Sequence, residues 1–159
     1  MPKWEESYVG RLRSVVGNRR LITAGVRAAI VDEQGRFLFI RRRDNGNWGM
    51  VEGGVDLGDS IMETLAKEVK EETGLDVVRA TLVAVYSEKR FWFTNVWGNE
   101  HQMVNFVFRV DEWSGTLAPQ TDESTDARFF PVDELPEDHF WYRETIADVL
   151  EFDGTVRVK

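Results

Sequence analysis

Three glutamates, Glu68, Glu71 and Glu72, follow one another at spacings of three and one residues. At about 100° per residue, positions i, i+3 and i+4 share one arc of a helix. The same stretch carries Ile61, Leu65 and Val69 at intervals of four, an apolar stripe suited to burial. On a helical wheel Glu72 projects within roughly 20° of Leu65, so the acids border that stripe. Glu63, Lys67 and Lys70 fall on the far side and supply a solvated face. Carboxylates crowded beside a core repel one another and lose hydration, and a divalent cation relieves both penalties. The same spacing also occurs on plain charged surface helices, so the helix alone does not decide between a metal site and a solvated face.

The residues before the helix favour the metal site. Gly53, Gly54 and Gly58 let the backbone approach a phosphate or a cation, and a helix N-terminus follows them. Ser60-Ile61-Met62-Glu63 matches a capping box and Gly74 stands where a helix stop belongs, which predicts a helix over residues 60–73. Stretches rich in branched and aromatic residues predict strands over 21–31, 37–42, 77–86, 103–110 and 127–132, with turns at 33–35 and 44–47. A short helix is expected over 4–16, with Leu12 and Val15 or Val16 at helical spacing. A closing helix is expected over 138–152, with Ile146, Val149 and Leu150 inward. Residues 87–102 form either a long aromatic connection or a hairpin with a wide tip. Helices and strands mix without a strict βαβ rhythm, which predicts an α+β fold, a mixed sheet packed by helices.

The 159 residues fit one domain, 1–159, with 1–18 as an N-terminal helical arm. A net charge of -8 argues against duplex nucleic acid, which is bound through basic surface. It does not exclude a single nucleotide, because an acidic protein can hold an anion through a cation. There is no cysteine, hence no disulfide and no thiolate chemistry. The first ten residues do not read as a signal peptide, and no apolar run is long enough to span a membrane. The expectation is a cytoplasmic enzyme acting away from membranes.

The run Gly53-x5-Asp59-x7-Lys67-Glu68-Val69-x-Glu71-Glu72-x-Gly74-Leu75 resembles the signature of the Nudix hydrolases. In that signature Glu stands where Asp59 is, and Arg where Lys67 is. The flanks are similar too: a strand precedes the run, and the segment from Arg128 to Leu135 resembles one near the end of many members. The resemblance implies an α/β/α sandwich with a mixed sheet between helices. It implies Mg²⁺ or Mn²⁺ as cofactor and water attack on phosphorus in a small-molecule nucleotide. The candidate substrates are ADP-ribose, nucleotide sugars, dinucleoside polyphosphates and nucleoside triphosphates, that is, a nucleoside diphosphate linked to another moiety. By the same resemblance Glu68, Glu71 and Glu72 are metal ligands, and the position of a ligating main-chain carbonyl falls on Glu52. The general base is Glu68 or, on a later loop, Glu123, and Lys67 orients the acids.

Three departures bear on this expectation. Asp59 has a shorter stem than Glu. Lys67 can pair with Glu63 or Glu71 but cannot form a bidentate fork. Val51-Glu52-Gly53 replaces a common Pro-Gly-Gly. These departures keep alive a second reading, a Nudix-like ligand-sensing domain without turnover. For substrate, Arg42 ends a strand in line with Leu38 and Ile40 and either reaches a phosphate or base or snorkels to solvent. Gly53 and Gly54 line the expected phosphate path. Trp48, Phe91, Trp92 and Trp97 could stack on a base, fill a core, or build a homodimer contact. His101 and His139 lack zinc-ligand spacing and read as structural or surface groups.

Overall fold

The computed structural model describes residues 4–159, excluding the side chains of residues 138–140, so that of His139 lies outside the described residues. A 3-10 turn (Trp4–Glu6) leads into α1 (Tyr8–Val16), which is capped by the Ser7 side chain accepting from the Gly10 amide. Of the expected α1 contacts, Leu12 and Val16 are half-buried, while Val15 is exposed and Arg13 is buried. Arg13 earns its burial by donating to the main-chain oxygens of Gly17, Arg19 and Glu100.

The strands are β1 (Leu21–Ile30), β2 (Phe37–Arg42), β3 (Trp48–Gly49), β4 (Val51–Gly54), β5 (Asp76–Tyr86), β6 (Phe93–Thr94), β7 (Glu100–Ser114), β8 (Ser124–Phe130) and β9 (Arg157–Val158). The helices after α1 are α2 (Ile61–Thr73) and α3 (Arg143–Leu150). One sheet runs β4-β1-β7-β5-β9, with β6 paired to β7, and a second runs β3-β2-β8. β1 and β7 are parallel, as are β5 and β9, while the other pairings are antiparallel, so the main sheet is mixed.

The two sheets form the middle layer between α2 and α3. On the α2 side, Leu65 and Val69 pack against Val26, Ala28 and Ile30 of β1, with Leu38 and Ile40 of β2. On the other side, Ile146 and Val149 of α3 pack with Ala29, Phe37, Phe39 and Val107. Alternation along β1 and β2 sends successive residues to opposite cores, which explains strands buried on both faces. The arrangement is the α/β/α sandwich expected from the sequence.

Several boundaries differ from the sequence expectation. The segment 87–102 is the hairpin alternative, since β6 pairs back onto Glu100 and His101. The closing helix is shorter: a 3-10 stretch (Glu137–Tyr142) precedes an eight-residue α3, and Leu150 is exposed rather than inward. β7 runs four residues past Val110, because Arg79, Arg109 and the Thr81 hydroxyl satisfy the strand residue Asp111. Among the described residues no helix is long and apolar enough to cross a membrane.

Candidate active site

α2 presents its glutamates from a helix fixed at both ends. Ser60 accepts from the Glu63 amide while the Glu63 carboxylate accepts from the Ser60 amide, completing the capping box. Gly74 closes the helix in the left-handed region, φ 78°, with its amide on the Lys70 carbonyl. Leu65 and Val69 hold the apolar stripe against the sheet, and this brings the Glu68–Glu72 segment against β4. Gly53 makes that approach feasible, since a Cβ there would collide with the carboxyl end of Glu68. Gly54 faces open space.

The acids then meet a residue from outside the helix. Carboxylate oxygens of Glu68, Glu72 and Glu123 all lie within 4.8 Å of one another. Glu123 is held there by its loop: Thr121 Oγ1 accepts the Glu123 and Ser124 amides. Arg43 donates to the Thr121 and Ser124 carbonyls, and its own amide donates to the Glu123 carbonyl. The Ser124 hydroxyl in turn donates to the Glu72 carbonyl at 3.1 Å. The site therefore straddles both sheets, with α2 clamped between β4 and β8.

Burial and mutual repulsion raise the proton affinity of all three. Desolvation, then the Glu123 and Glu71 charges, push the Glu68 carboxyl up to about 8. Glu72, 2% exposed, is raised well above the usual carboxylate range by burial first, with Arg42 pulling the other way. Glu123 is raised by burial and by Glu71, while a hydrogen bond with Glu72 opposes the shift. Carboxylates this close favour protonation of at least one of them, and a divalent cation would take the place of that proton. Three hard oxygen donors at this separation fit Mg²⁺ or Mn²⁺. Glu71 lines a cavity beside Glu68 rather than joining the tightest trio.

The remaining expected residues take distinct places. Lys67 stands 3.7 Å from Asp56 and 3.9 Å from Asp59, instead of pairing with Glu63 or Glu71. Glu63 is engaged in the capping box, and the loop before α2 folds back to offer its own acids. Asp59 and Lys67, both departures from the family signature, thus face each other. Arg42 forks onto Asp44 and lies 3.8 Å from Glu72. Burial works against its charge, but those two carboxylates hold it cationic. Trp48 packs edge-on against Phe130 at 5.1 Å and lines neither cavity of the site. Phe91 stacks on Tyr86, and Arg20 lies over Trp92. Glu52 turns its carboxylate onto Arg27 at 2.9 Å and meets the acidic set through its amide, which donates to Glu72 Oε2 at 3.3 Å.

Two cavities flank the acids. A smaller one, about 350 Å³, includes Thr23, Lys67, Glu68, Glu71, Phe93 and His101 in its lining. A larger one, about 890 Å³, includes Arg42, Arg43, Asn95 and Trp97. Trp4 and Glu123 belong to both. Sequence reasoning treated His101 as a bystander and gave Phe93 no role, yet they stack at 4.6 Å in the smaller cavity. No sequence signal marked this pair, because the β6–β7 register sets it and β6 is only two residues long.

Comparison with known proteins places this geometry. The NUDIX domain profile matches residues 21–149. The chain is 32% identical over 96 residues to the NAD-capped RNA hydrolase NudC of Vibrio atlanticus, covering 60% of this chain and 32% of that relative, about a third of its length. It is 28% identical over 126 residues to an ADP-ribose pyrophosphatase of Methanocaldococcus jannaschii, covering 77% of this chain and 70% of the relative. Among solved structures, a MutT NUDIX hydrolase from Burkholderia pseudomallei superposes with a TM-score of 0.65 at 28% identity, over 81% of this chain and 98% of the other. With its glutamate helix packed on a glycine strand inside that matched span, the chain belongs to the Nudix hydrolase family.

Proposed function

We propose that the protein hydrolyses a phosphoanhydride bond in a nucleoside diphosphate linked to a second moiety, with Mg²⁺ or Mn²⁺ as cofactor. The observation that carries this reading is the Glu68, Glu72 and Glu123 trio set beside two cavities, with Glu68 in the wall of the smaller and Glu123 in the wall of both. A diphosphate lying over the acids would leave one substituent for each cavity. ADP-ribose, nucleotide sugars and dinucleoside polyphosphates have two such substituents, whereas a nucleoside triphosphate has one. The names of the relatives, which include an ADP-ribose pyrophosphatase and an NAD-capped RNA hydrolase, point to the same kind of two-ended diphosphate.

The cation would neutralise the diphosphate and acidify water. Glu68 and Glu72 would hold it, and Gly53 keeps Glu68 against β4. Glu71 extends the acidic wall into the smaller cavity, and the main-chain carbonyl at Glu52 is the further ligand that the family pattern suggests. Lys67 braces the preceding loop through Asp56 and Asp59. Arg42, beside Glu72 and at the wall of the larger cavity, supplies positive charge for the phosphate. Trp97, 70% exposed there, offers a face for a base. Trp48 serves this reading only indirectly, by packing the β2–β3 pair from which Arg42 projects.

Glu123 is either the third oxygen ligand or the acceptor of the attacking water's proton, and measurement separates the two. As a ligand, Glu123→Gln loses Mn²⁺ affinity; as a base, it keeps affinity and loses kcat. The overall reading is tested by incubating the protein with ADP-ribose, nucleotide sugars, dinucleoside polyphosphates and nucleoside triphosphates, with Mg²⁺, Mn²⁺ or chelator. Metal-dependent cleavage that favours two-ended diphosphates is expected. Ligand binding without cleavage of any of them would instead make the domain a sensor.

A further inference from the structure

The Glu52 side chain has no part in the site proposed above, yet it replaces a glycine common in the family, and it is not idle. β4 is an edge strand of the main sheet, paired among the described residues only to β1, where Glu52 stands opposite Arg27. Arg27 Nε donates to Glu52 Oε1 at 2.9 Å, while burial and the nearby Glu52 charge hold the Tyr142 hydroxyl protonated, well above its ordinary range. The Arg27 guanidinium lies 4.8 Å from the Tyr142 ring centroid and donates to Thr145 Oγ1 at 2.8 Å. Thr145 is fully buried on α3. Tyr142 itself needs Gly49, because a Cβ there would stand 2.6 Å from its hydroxyl. The Glu52 carboxylate is thus gripped on the α3 side of the sheet, while the Glu52 amide points out of the sheet edge to Glu72 Oε2. Ordinary strand pairing leaves alternate edge amides unpaired, and here the buried acid takes one of them.

We infer that Arg27, Glu52 and Tyr142 are positioning residues, which fix the Glu52 amide on Glu72 and so couple α3 to the acidic trio on the opposite face of the sheet. The amide is a donor held against a carboxylate that is otherwise repelled by Glu68 and Glu123. A donor of this kind orients one carboxylate oxygen and leaves the other to face the trio. The consequence for a cation rests on the metal site proposed above; the link between side chain and amide does not.

Two measurements on the full chain separate these parts. In metal-free protein, amide exchange at residue 52 followed by NMR should be slow in the parent and in Glu52→Gln, which keeps oxygen and shape. It should be at least about tenfold faster in Arg27→Met and Glu52→Ala, the scale of losing one fixed hydrogen bond. Mn²⁺ affinity, read by electron paramagnetic resonance, should fall by about tenfold or more in those two variants and hardly change in Glu52→Gln. Parental exchange in folded Arg27→Met and Glu52→Ala would overturn the inference, because the β1–β4 ladder alone would then hold the amide. Faster exchange with parental Mn²⁺ affinity would overturn the coupling to the acids. If Arg27→Met does not fold, the contrast of Glu52→Ala with Glu52→Gln decides. A parent that binds no Mn²⁺ sinks the proposed metal site instead, and the exchange data still judge the link.

Discussion

Glu63 and Glu72 belong to the same helix, nine residues apart, and their environments are opposite. Glu63 is exposed in the first turn, where the Ser60 amide and hydroxyl hold its carboxyl below the usual range. Glu72 is buried in the last turn, where desolvation and neighbouring acids raise it well above that range. The first acid sits at the positive end of the helix dipole and the second at the negative end. One end of α2 is therefore electrostatically settled, and the other is held under repulsion by packing. The difference teaches where to look for the glutamates of the proposed site: where the fold keeps acids least comfortable without a cation.

The largest test of this contrast replaces acids at the strained end. Glu68→Gln and Glu72→Gln should each cost about a hundredfold or more in turnover, as for a lost metal ligand or base. The metal-free variants should stay folded and melt no lower than the parent, since repulsion has been removed; a cooperative melt beside a rate assay checks both.

Gly53→Ala comes next. The new methyl drives Glu68 off the strand, so turnover should fall about tenfold or more, with about 1–3 kcal/mol of stability lost to overpacking. Gly54→Ala, whose methyl would meet no atom within 4 Å, should keep parental stability, and equal losses for the two in denaturant titrations would break the packing argument.

The strained end should also show in pH dependence. Glu68 loses its proton near 4.5 when unfolded and only near 8 when folded without metal. Between those values the folded state binds more protons, so metal-free stability should fall as pH rises from about 4.5 to about 8. Melts across that window should show a shallower slope in Glu68→Gln. Saturating Mg²⁺ should raise the melting temperature most at the upper end, where the carboxylates are ready to bind it. A parental slope in the variant would remove Glu68 from the account.

Lys67→Ala should lower turnover about two- to fivefold, the scale of a half-exposed ion pair, while Lys67→Arg should be tolerated. The smallest effect belongs to the settled end. Glu63→Gln retains a capping-box side chain, so rate, melting temperature and metal-induced shift should match the parent within error. A loss there comparable to Glu72→Gln would erase the distinction between the two ends.

α2 was readable from sequence because its signals are local: a capping box, a four-residue stripe and a glycine stop lie within fifteen residues of one another. The fold class followed from strand and helix patterns of the same short range. Glu123 could be singled out as an acid on a later loop, but its approach to Glu68 and Glu72 depends on Arg43 and Thr121 bracing that loop. The partner of Lys67 was misjudged because the chain before α2 doubles back, a long-range event that helix spacing does not encode. The Arg27–Glu52 pair was invisible for the same reason, since only strand register sets those residues opposite each other. The extent of β7 was underestimated where charged residues interrupt the apolar pattern and find partners on β5.

The edge position of β4 gives α2 a second office. An unpaired strand edge is a template for joining another chain, and many sheets guard theirs with charge, proline or a covering element. Here the cover is the glutamate helix itself: Glu72 takes the outward Glu52 amide, and Glu68 lies against Gly53. A lesion that loosens α2 would therefore uncover a short glycine-bearing strand, and the molecule would become sticky as well as inactive. Solubility and the proposed activity then depend on the same few side chains, so aggregation on storage or heating would report on the integrity of the acidic cluster without any substrate added.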